Sequence, residues 1–346
     1  MNERIMPSGQ MAKETAETPA VIRHQFEANR RIVQSLVDRL RRQPPRLIAT
    51  CARGSSDHAA TFAKYLFETR LGLPTTSAAP SVSSVYGARQ DLADTLFLVI
   101  SQSGQSPDIL AGAEHARANG ALVVALVNDV ASPLAEAADV ALPLHAGPEI
   151  SIAATKSFVA SLGALLHMAA AWSGDTELGT ALEALPQHLE DALVLDWCAA
   201  GEILADVDTM MIAGRGLGFG IAQEAALKLK EVAGLHAEAF SAAEIRHGPM
   251  ALIGAGYPVL VFCQEDETRD SVIALARDLE AKGAQVLLAR AGATTPNGLA
   301  VPHSMHPATA PLAMILSFYR LAEGLARRRG HDPDAPRHLR KVTKTT

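Results

Sequence analysis

Apolar residues recur at Ile22, Phe26, Ile32, Leu36 and Leu40 with near-helical spacing, and Pro44 and Pro45 stop the run. The pattern predicts an amphipathic lead-in helix over Ala20–Arg42, with residues 1–18 before it polar and loose. After Pro45 the period changes. Short β-rich runs at Leu47–Thr50, Leu96–Ile100 and Leu122–Leu126 alternate with helical stretches of about 12 to 20 residues, the pattern of parallel strands joined by helical crossovers. Each run ends in a Gly/Ser-rich turn that opens the next helix, and open α/β sheets bind ligands at that edge. Residues 154–205 read as two long helices broken around Ser173-Gly174-Asp175 and at Pro186. A further α/β segment runs from Asp208 to Arg329, and a tail rich in Pro, Lys and Arg follows from Gly330, too polar to be core.

The chain contains itself twice. Residues 47–110 lie over 209–272 at a constant offset of 162, and one inserted residue later ANGALVVAL (118–126) lies over AKGAQVLLA (281–289). A register held that long marks an internal duplication. The copies differ where chemistry would sit: the hydroxyl loop Ser101–Ser106 faces the acidic Gln264–Thr268, while Glu231 and His247 face Thr69 and Val85. The expected fold class is α/β, two tandem domains each with a parallel sheet flanked by helices in a flavodoxin-like three-layer α/β/α arrangement. The expected division is an N-terminal segment and lead-in helix (1–45), a first domain (46–205), a second (206–330) and a C-terminal tail (331–346).

Composition narrows the function. A chain of 346 residues, 48% hydrophobic but only 4% aromatic, can bury two Ala/Leu/Val-packed cores. A net charge of -6 argues against nucleic acid or an anionic membrane as partner, so an anionic ligand must be held by local loops. Cys51, Cys198 and Cys263 lack metal or disulfide spacing, and Cys51 and Cys263 end apolar runs as small buried side chains. The longest near-apolar stretch, Phe158–Trp172, is interrupted by Ser161 and His167 and falls short of a bilayer span. With no secretory signal at the start, the expected location is cytoplasmic.

Three constellations carry candidate chemistry. SQSGQS (101–106) sits between a strand and a helix beginning near Pro107, where hydroxyls, an amide and unpaired helix N–H groups make a cradle for a phosphate. An ordinary Ser-rich turn with an N-cap has the same composition, but Gly54-Ser55-Ser56 repeats the arrangement at another strand-to-helix edge. Glu224, Lys228 and Glu231 share one helix face, and a carboxylate beside a lysine near the ligand edge can move protons. The same spacing also describes a solvated salt-bridge face. His247, in AEIRHGPMALI, is bracketed by the Gly248-Pro249 turn, and an imidazole titrating near neutrality suits sugar ring opening, although a lone histidine is more often structural.

These residues bear a family resemblance. GSS, SQSGQS, EISIAATKSF (149–158), EAALKLKEVAGLHAEAFSAAEIRHGPMALI (224–253), DAPRHLRKVTKTT (334–346) and the lead-in MAKETAETPAVI (11–22) resemble the tandem sugar-isomerase (SIS) portion of glucosamine-fructose-6-phosphate aminotransferases, over nearly the whole chain. The resemblance implies that Ser55, Ser56, Ser101, Gln102, Ser103 and Ser106 hold a phosphorylated sugar that Ile152 and Ala153 line. It implies that Glu231 shuttles a proton between C1 and C2, with Lys228 beside it, and that Lys341 forms a Schiff base with the ketose. His247 would open the ring from the neighbouring subunit of a homodimer with shared active sites. Gln105, Ala154 and Arg340 depart from the family pattern, where Glu, Ser and a small residue are usual.

The aminotransferases also carry a glutaminase domain of which this chain shows no counterpart, so the expected reaction runs the other way. Glucosamine 6-phosphate would be deaminated to fructose 6-phosphate and ammonia. No metal or redox cofactor is implied, because the imine serves as the electron sink. Deamination or deglycation of galactosamine 6-phosphate or a fructosamine phosphate, ammonia-dependent synthesis and a non-catalytic sugar-phosphate sensor are the competing readings.

Overall fold

The computed structural model describes residues 9–293 and 297–341. In chain order the elements are α1 (Gln10–Arg42), β1 (Leu47–Cys51), α2 (Ser55–Leu71), β2 (Thr75–Ser77), α3 (Pro80–Ser84), β3 (Thr95–Ser101), α4 (Pro107–Ala118), β4 (Leu122–Val127), α5 (Pro133–Ala137), β5 (Val140–Pro143), α6 (Lys156–Ser173), α7 (Thr176–Val194) and α8 (Cys198–Ile203). The second copy continues with β6 (Thr209–Gly214), α9 (Leu217–Ala233), β7 (His236–Ser241), β8 (Pro258–Phe262), α10 (Arg269–Ala281), β9 (Gln285–Ala291), β10 (Gly298–Val301) and α11 (Ala310–Arg328).

Two five-stranded sheets result, ordered β2-β1-β3-β4-β5 and β7-β6-β8-β9-β10, with every pairing parallel. The orders correspond strand for strand, and both are the flavodoxin-like order. Central strands are buried along their length, as β3 and β8 are, which explains their unbroken apolar runs. Beneath one face of the first sheet pack Ala49, Phe97, Val99, Ile109 and Ala113; Met211, Val259, Val261, Ser271's neighbour Val272 and Leu275 form the corresponding cluster of the second. Cys51 and Cys263 are buried within these clusters, as their positions in apolar runs predict.

The duplication extends to backbone detail. Gly54 and Gly216, which precede α2 and α9, hold φ 56 with ψ -132 and -128, a region that only glycine enters easily. Compact units do not follow one cut in the chain: Ala20–Gly147 with Ser157–Ala184 forms one, and the described residues through Pro19, with Pro148–Lys156 and Leu185–Lys341, form the other.

Two expectations are corrected. The lead-in helix begins at Gln10, so residues expected to be loose are helical through Thr18 and beyond. Asp334 supplies the reason, since its carboxylate accepts the N–H groups of Gln10 (2.8 Å) and Met11 (2.7 Å) and so satisfies two orphan donors of the first turn. Pro186 does not break a helix but lies inside α7, and the segment to 205 holds three helices, the third being α8.

Candidate active site

In the first unit the hydroxyl loops sit at the carboxyl ends of the paired strands β1 and β3. Ser55 and Ser56 open α2 and are half-buried. Ser101 ends β3, and its Oγ accepts the Gly104 N–H at 3.0 Å. Ser103 Oγ accepts the Gln105 N–H at 3.3 Å, and the Gln102 carbonyl accepts the Asn128 N–H at 3.2 Å. Gly104 has φ +63, and a Cβ there would collide with Ser132. The tight approach of backbone to Ser132 therefore requires glycine. Ser106 is the N-cap of α4 but makes no side-chain cap bond, so its hydroxyl stands at the helix N-terminus without capping it.

Arg53 joins the two loops. Its Nε and Nη2 lie 3.0 and 2.8 Å from Oδ2 of Asp108, a buried carboxylate in the first turn of α4. This fork ties the β1–α2 turn to the SQSGQS helix. Neither residue stood out in the sequence, because an Arg and an Asp 55 positions apart carry no local pattern.

The second unit treats the equivalent loop differently. Asp266 Oδ1 accepts the Thr268 N–H (2.8 Å) and Oγ1 (2.5 Å), and its Oδ2 accepts Gln264 Nε2 (2.9 Å). A carboxylate of the chain thus occupies the side-chain donors of Gln264 and Thr268, whereas among the described residues their first-copy counterparts Gln102 and Ser106 meet no such carboxylate.

The charged residues of the second unit converge on α9. Glu224 and Lys228 are completely buried, whereas Glu231 is half-buried with 20% of its side chain exposed. Lys228 Nζ lies 3.5 Å from Glu224 Oε1 and hydrogen-bonds Glu231 Oε2. Tyr319 Oη, on α11, donates to Glu224 Oε1 at 3.2 Å. Burial opposes the Lys228 charge, but Glu224, Glu231 and Glu149 more than offset it and raise its pKa above the ordinary lysine value. The Tyr319 phenol is pushed well up by burial, then by Glu224 and Glu149. A solvated salt-bridge face is thereby excluded.

Lys341 reaches the same unit's 148–156 segment. Its Nζ donates to Glu149 Oε2 (3.0 Å) and to the Ser151 carbonyl (2.6 Å), and Glu149 Oε1 accepts the Thr155 N–H (3.0 Å). Ile152 and Ala153, half-buried and buried, lie between these anchors. Glu149 and Tyr319 were not singled out in the sequence, although Glu149 opens the EISIAATKSF motif; their signal is the spatial neighbour. His247 closes a short 3-10 turn, Glu244–His247, is exposed, and its imidazole makes no hydrogen bond or ion pair among the described residues. It is not brought together with Glu231 by any such bond. Residues 342–346 of the tail motif lie outside the described residues.

The SIS domain family matches residues 43–171 and 203–291. The chain belongs to the SIS-domain family. Its two sheets are tandem SIS domains. Among relatives, a glutamine–fructose-6-phosphate aminotransferase (isomerizing) of Symbiobacterium thermophilum is 36% identical over 315 residues, which cover 86% of this chain and 51% of that protein. One from Thermococcus kodakarensis is 35% identical over 96% of this chain and 57% of its own length. The chain thus spans about half the length of the curated relatives it matches. Among solved structures, a candidate phosphosugar isomerase from Silicibacter pomeroyi DSS-3 has TM-score 0.88 at 42% identity, covering 94% of this chain and 99% of that one. The C-terminal domain of glucosamine-fructose-6-phosphate aminotransferase from Francisella tularensis has TM-score 0.85 at 26% identity, covering 97% and 100%. Among the described residues of this SIS protein, no helix is long and apolar enough to cross a membrane, and no group of three or more His, Cys, Asp or Glu side chains could hold a metal ion.

Proposed function

We propose that this SIS protein is an amino-sugar-phosphate isomerase acting as a deaminase, converting glucosamine 6-phosphate and water to fructose 6-phosphate and ammonia. One observation carries the reading. Glu224, Lys228 and Glu231 occupy positions that in the first copy hold Phe62, Leu66 and Thr69, the first two equally buried. The fold accommodates apolar side chains at the two buried positions, and charges that cost free energy to bury mark a candidate functional site. Family membership and the names of relatives, all concerned with phosphosugars, support the substrate class.

In this reading Ser55, Ser56, Ser101, Gln102, Ser103 and Ser106 hold the phosphate, and Ile152 and Ala153 line the sugar. His247 of a second subunit in a homodimer opens the ring. Glu231 takes the C2 proton, the C–H electrons pass toward the C1 carbonyl as an amine proton moves to O1, and return of the C2 proton to C1 leaves an imine at C2. Lys228 holds the Glu231 carboxylate in place. Lys341, having passed a proton to Glu149, attacks C2 of the imine, and Glu149 returns that proton to the departing nitrogen, which leaves as ammonia. Water then hydrolyses the lysine imine, gives its oxygen to C2 and frees both fructose 6-phosphate and the amine. No net oxidation or reduction occurs.

Incubation with glucosamine 6-phosphate, following ammonia and fructose 6-phosphate together, tests the proposal; equal release of both is the expected result. Ammonia only from galactosamine 6-phosphate or a fructosamine phosphate would move the substrate within the class. A protein that binds fructose 6-phosphate yet turns over none of these would be a sensor, and the catalytic reading would be lost.

A further inference from the structure

We propose that Glu14 is a positioning residue that sets the reactivity of Lys341. The proposal rests on the deaminase reading for its catalytic consequence but not for its geometry. Glu14 lies in the second turn of α1 and is fully buried, a setting that a carboxylate occupies only when donors surround it. The donors are backbone. Its Oε1 accepts the Ile150 N–H at 2.5 Å and the Ser151 N–H at 3.3 Å, its Oε2 lies 3.2 Å from the latter, and Gln10 Nε2 adds a bond of 3.0 Å.

The held amides sit inside the anchorage of Lys341. Its two acceptors are the Glu149 carboxylate and the Ser151 carbonyl, so Glu14 grips the peptide groups between and beside them without touching Lys341. Apolar packing does not replace that grip, because the Ile150 side chain is 68% exposed. The same end of α1 also fixes the tail: Asp334, seven residues before Lys341, caps Gln10 and Met11. Both parts of the Lys341 anchorage therefore take their position from the first two turns of one helix. Moving the 149–151 segment would shift both acceptors at once and leave the amine without its fixed direction.

The test compares Glu14→Ala and Glu14→Gln in the full chain. In Glu14→Ala, kcat on glucosamine 6-phosphate should fall about 10²-fold, the scale of a small displacement of a reacting group, with KM within a few-fold. Borohydride trapping of fructose 6-phosphate on Lys341 should fall in parallel, and Glu14→Gln, whose amide oxygen still accepts one N–H, should recover part of both. A readout without substrate is the rate at which an amine-reactive reagent labels Lys341, mapped by mass spectrometry. That rate should rise roughly tenfold in Glu14→Ala as the amine leaves its acceptors, about the worth of one charge-assisted hydrogen bond. If Glu14→Ala fails to give a cooperative melt, Glu14→Gln carries the same comparisons with smaller changes in the same direction. An active wild type whose variants keep both kcat and labelling rate would overturn the role of Glu14. A wild type inert on glucosamine 6-phosphate, with labelling still faster in the variant, would keep that role and remove the deaminase reading.

Discussion

Glu231 differs from Glu224 in one property that decides which can act as a base. Both face Lys228, but Glu224 is sealed between α9 and α11 by Tyr319, while Glu231 keeps a fifth of its side chain exposed. A group that transfers protons must reach its substrate, and of these two carboxylates Glu231 is the one with exposed surface. Glu224 instead balances the buried Lys228 ammonium, which under the proposed mechanism would lose and regain the charge of its other partner, Glu231. Glu231→Gln keeps volume and one acceptor oxygen. It should leave substrate affinity near wild type and lower kcat by roughly 10²- to 10⁴-fold, as steady-state kinetics will show. A variant within a few-fold of wild type would remove Glu231 from the mechanism.

Between elements, α2 and α9 are the same device filled differently. Each spans 17 residues, starts after a glycine with φ 56 and ends at a left-handed glycine, Gly72 or Gly234. The positions of Phe62 and Leu66 on α2 are taken by Glu224 and Lys228 on α9. Replacing a whole buried ionic group by apolar residues is often neutral or stabilising, whereas removing one member strands the rest. A combined Glu224→Leu, Lys228→Met, Glu231→Thr, Tyr319→Phe protein should therefore melt no lower than wild type and be inactive. Lys228→Met alone, which leaves two carboxylates facing a thioether, should lose on the order of 3–5 kcal/mol in denaturant titration. A quadruple variant less stable than that single one would show that the cluster serves the fold.

For the whole molecule, acid sensitivity has an identifiable source. Burial lowers the His167 pKa from 6.5 to about 4, with Arg30 adding to the effect, and its ring packs edge-on against Phe26. The folded chain then binds this proton more weakly than the unfolded chain does. Its contribution is fully present above pH 6.5, is lost as pH falls toward about 4, and changes no further below that, since both states are then protonated. His167→Leu should flatten the stability curve in that window by up to about 3 kcal/mol, measured by urea unfolding at a series of pH values.

Assembly supplies a second test at this scale. A site completed by His247 of a second subunit predicts that mixing inactive Glu231→Gln and His247→Ala chains restores activity. With about half the dimers mixed, and one intact site in each, recovery should approach about a quarter of wild type. If mass spectrometry shows exchange and no activity returns, the two residues do not act across subunits.

The chain by itself determined the duplication, the three central strands of the first copy, the helix start near Pro107 and the candidate residues themselves. Each is encoded locally: strand runs by apolar side chains in parallel pairing, helix starts by Pro and hydroxyls, the β–α turns by glycines that alone enter their backbone region. Helical spacing also placed Glu224, Lys228 and Glu231 on one face. It could not say what that face meets, and burial against α11 is what turns a surface ion pair into a perturbed cluster. Tertiary structure alone decided the start of α1, because its cap comes from Asp334, 324 residues away. It alone disclosed Glu14, Glu149 and the Arg53–Asp108 tie, since a carboxylate reads as solvated until distant donors gather around it. Proton affinity and hydrogen-bond partnership depend on the local dielectric and on which groups stand nearby. Those are set when the chain closes on itself.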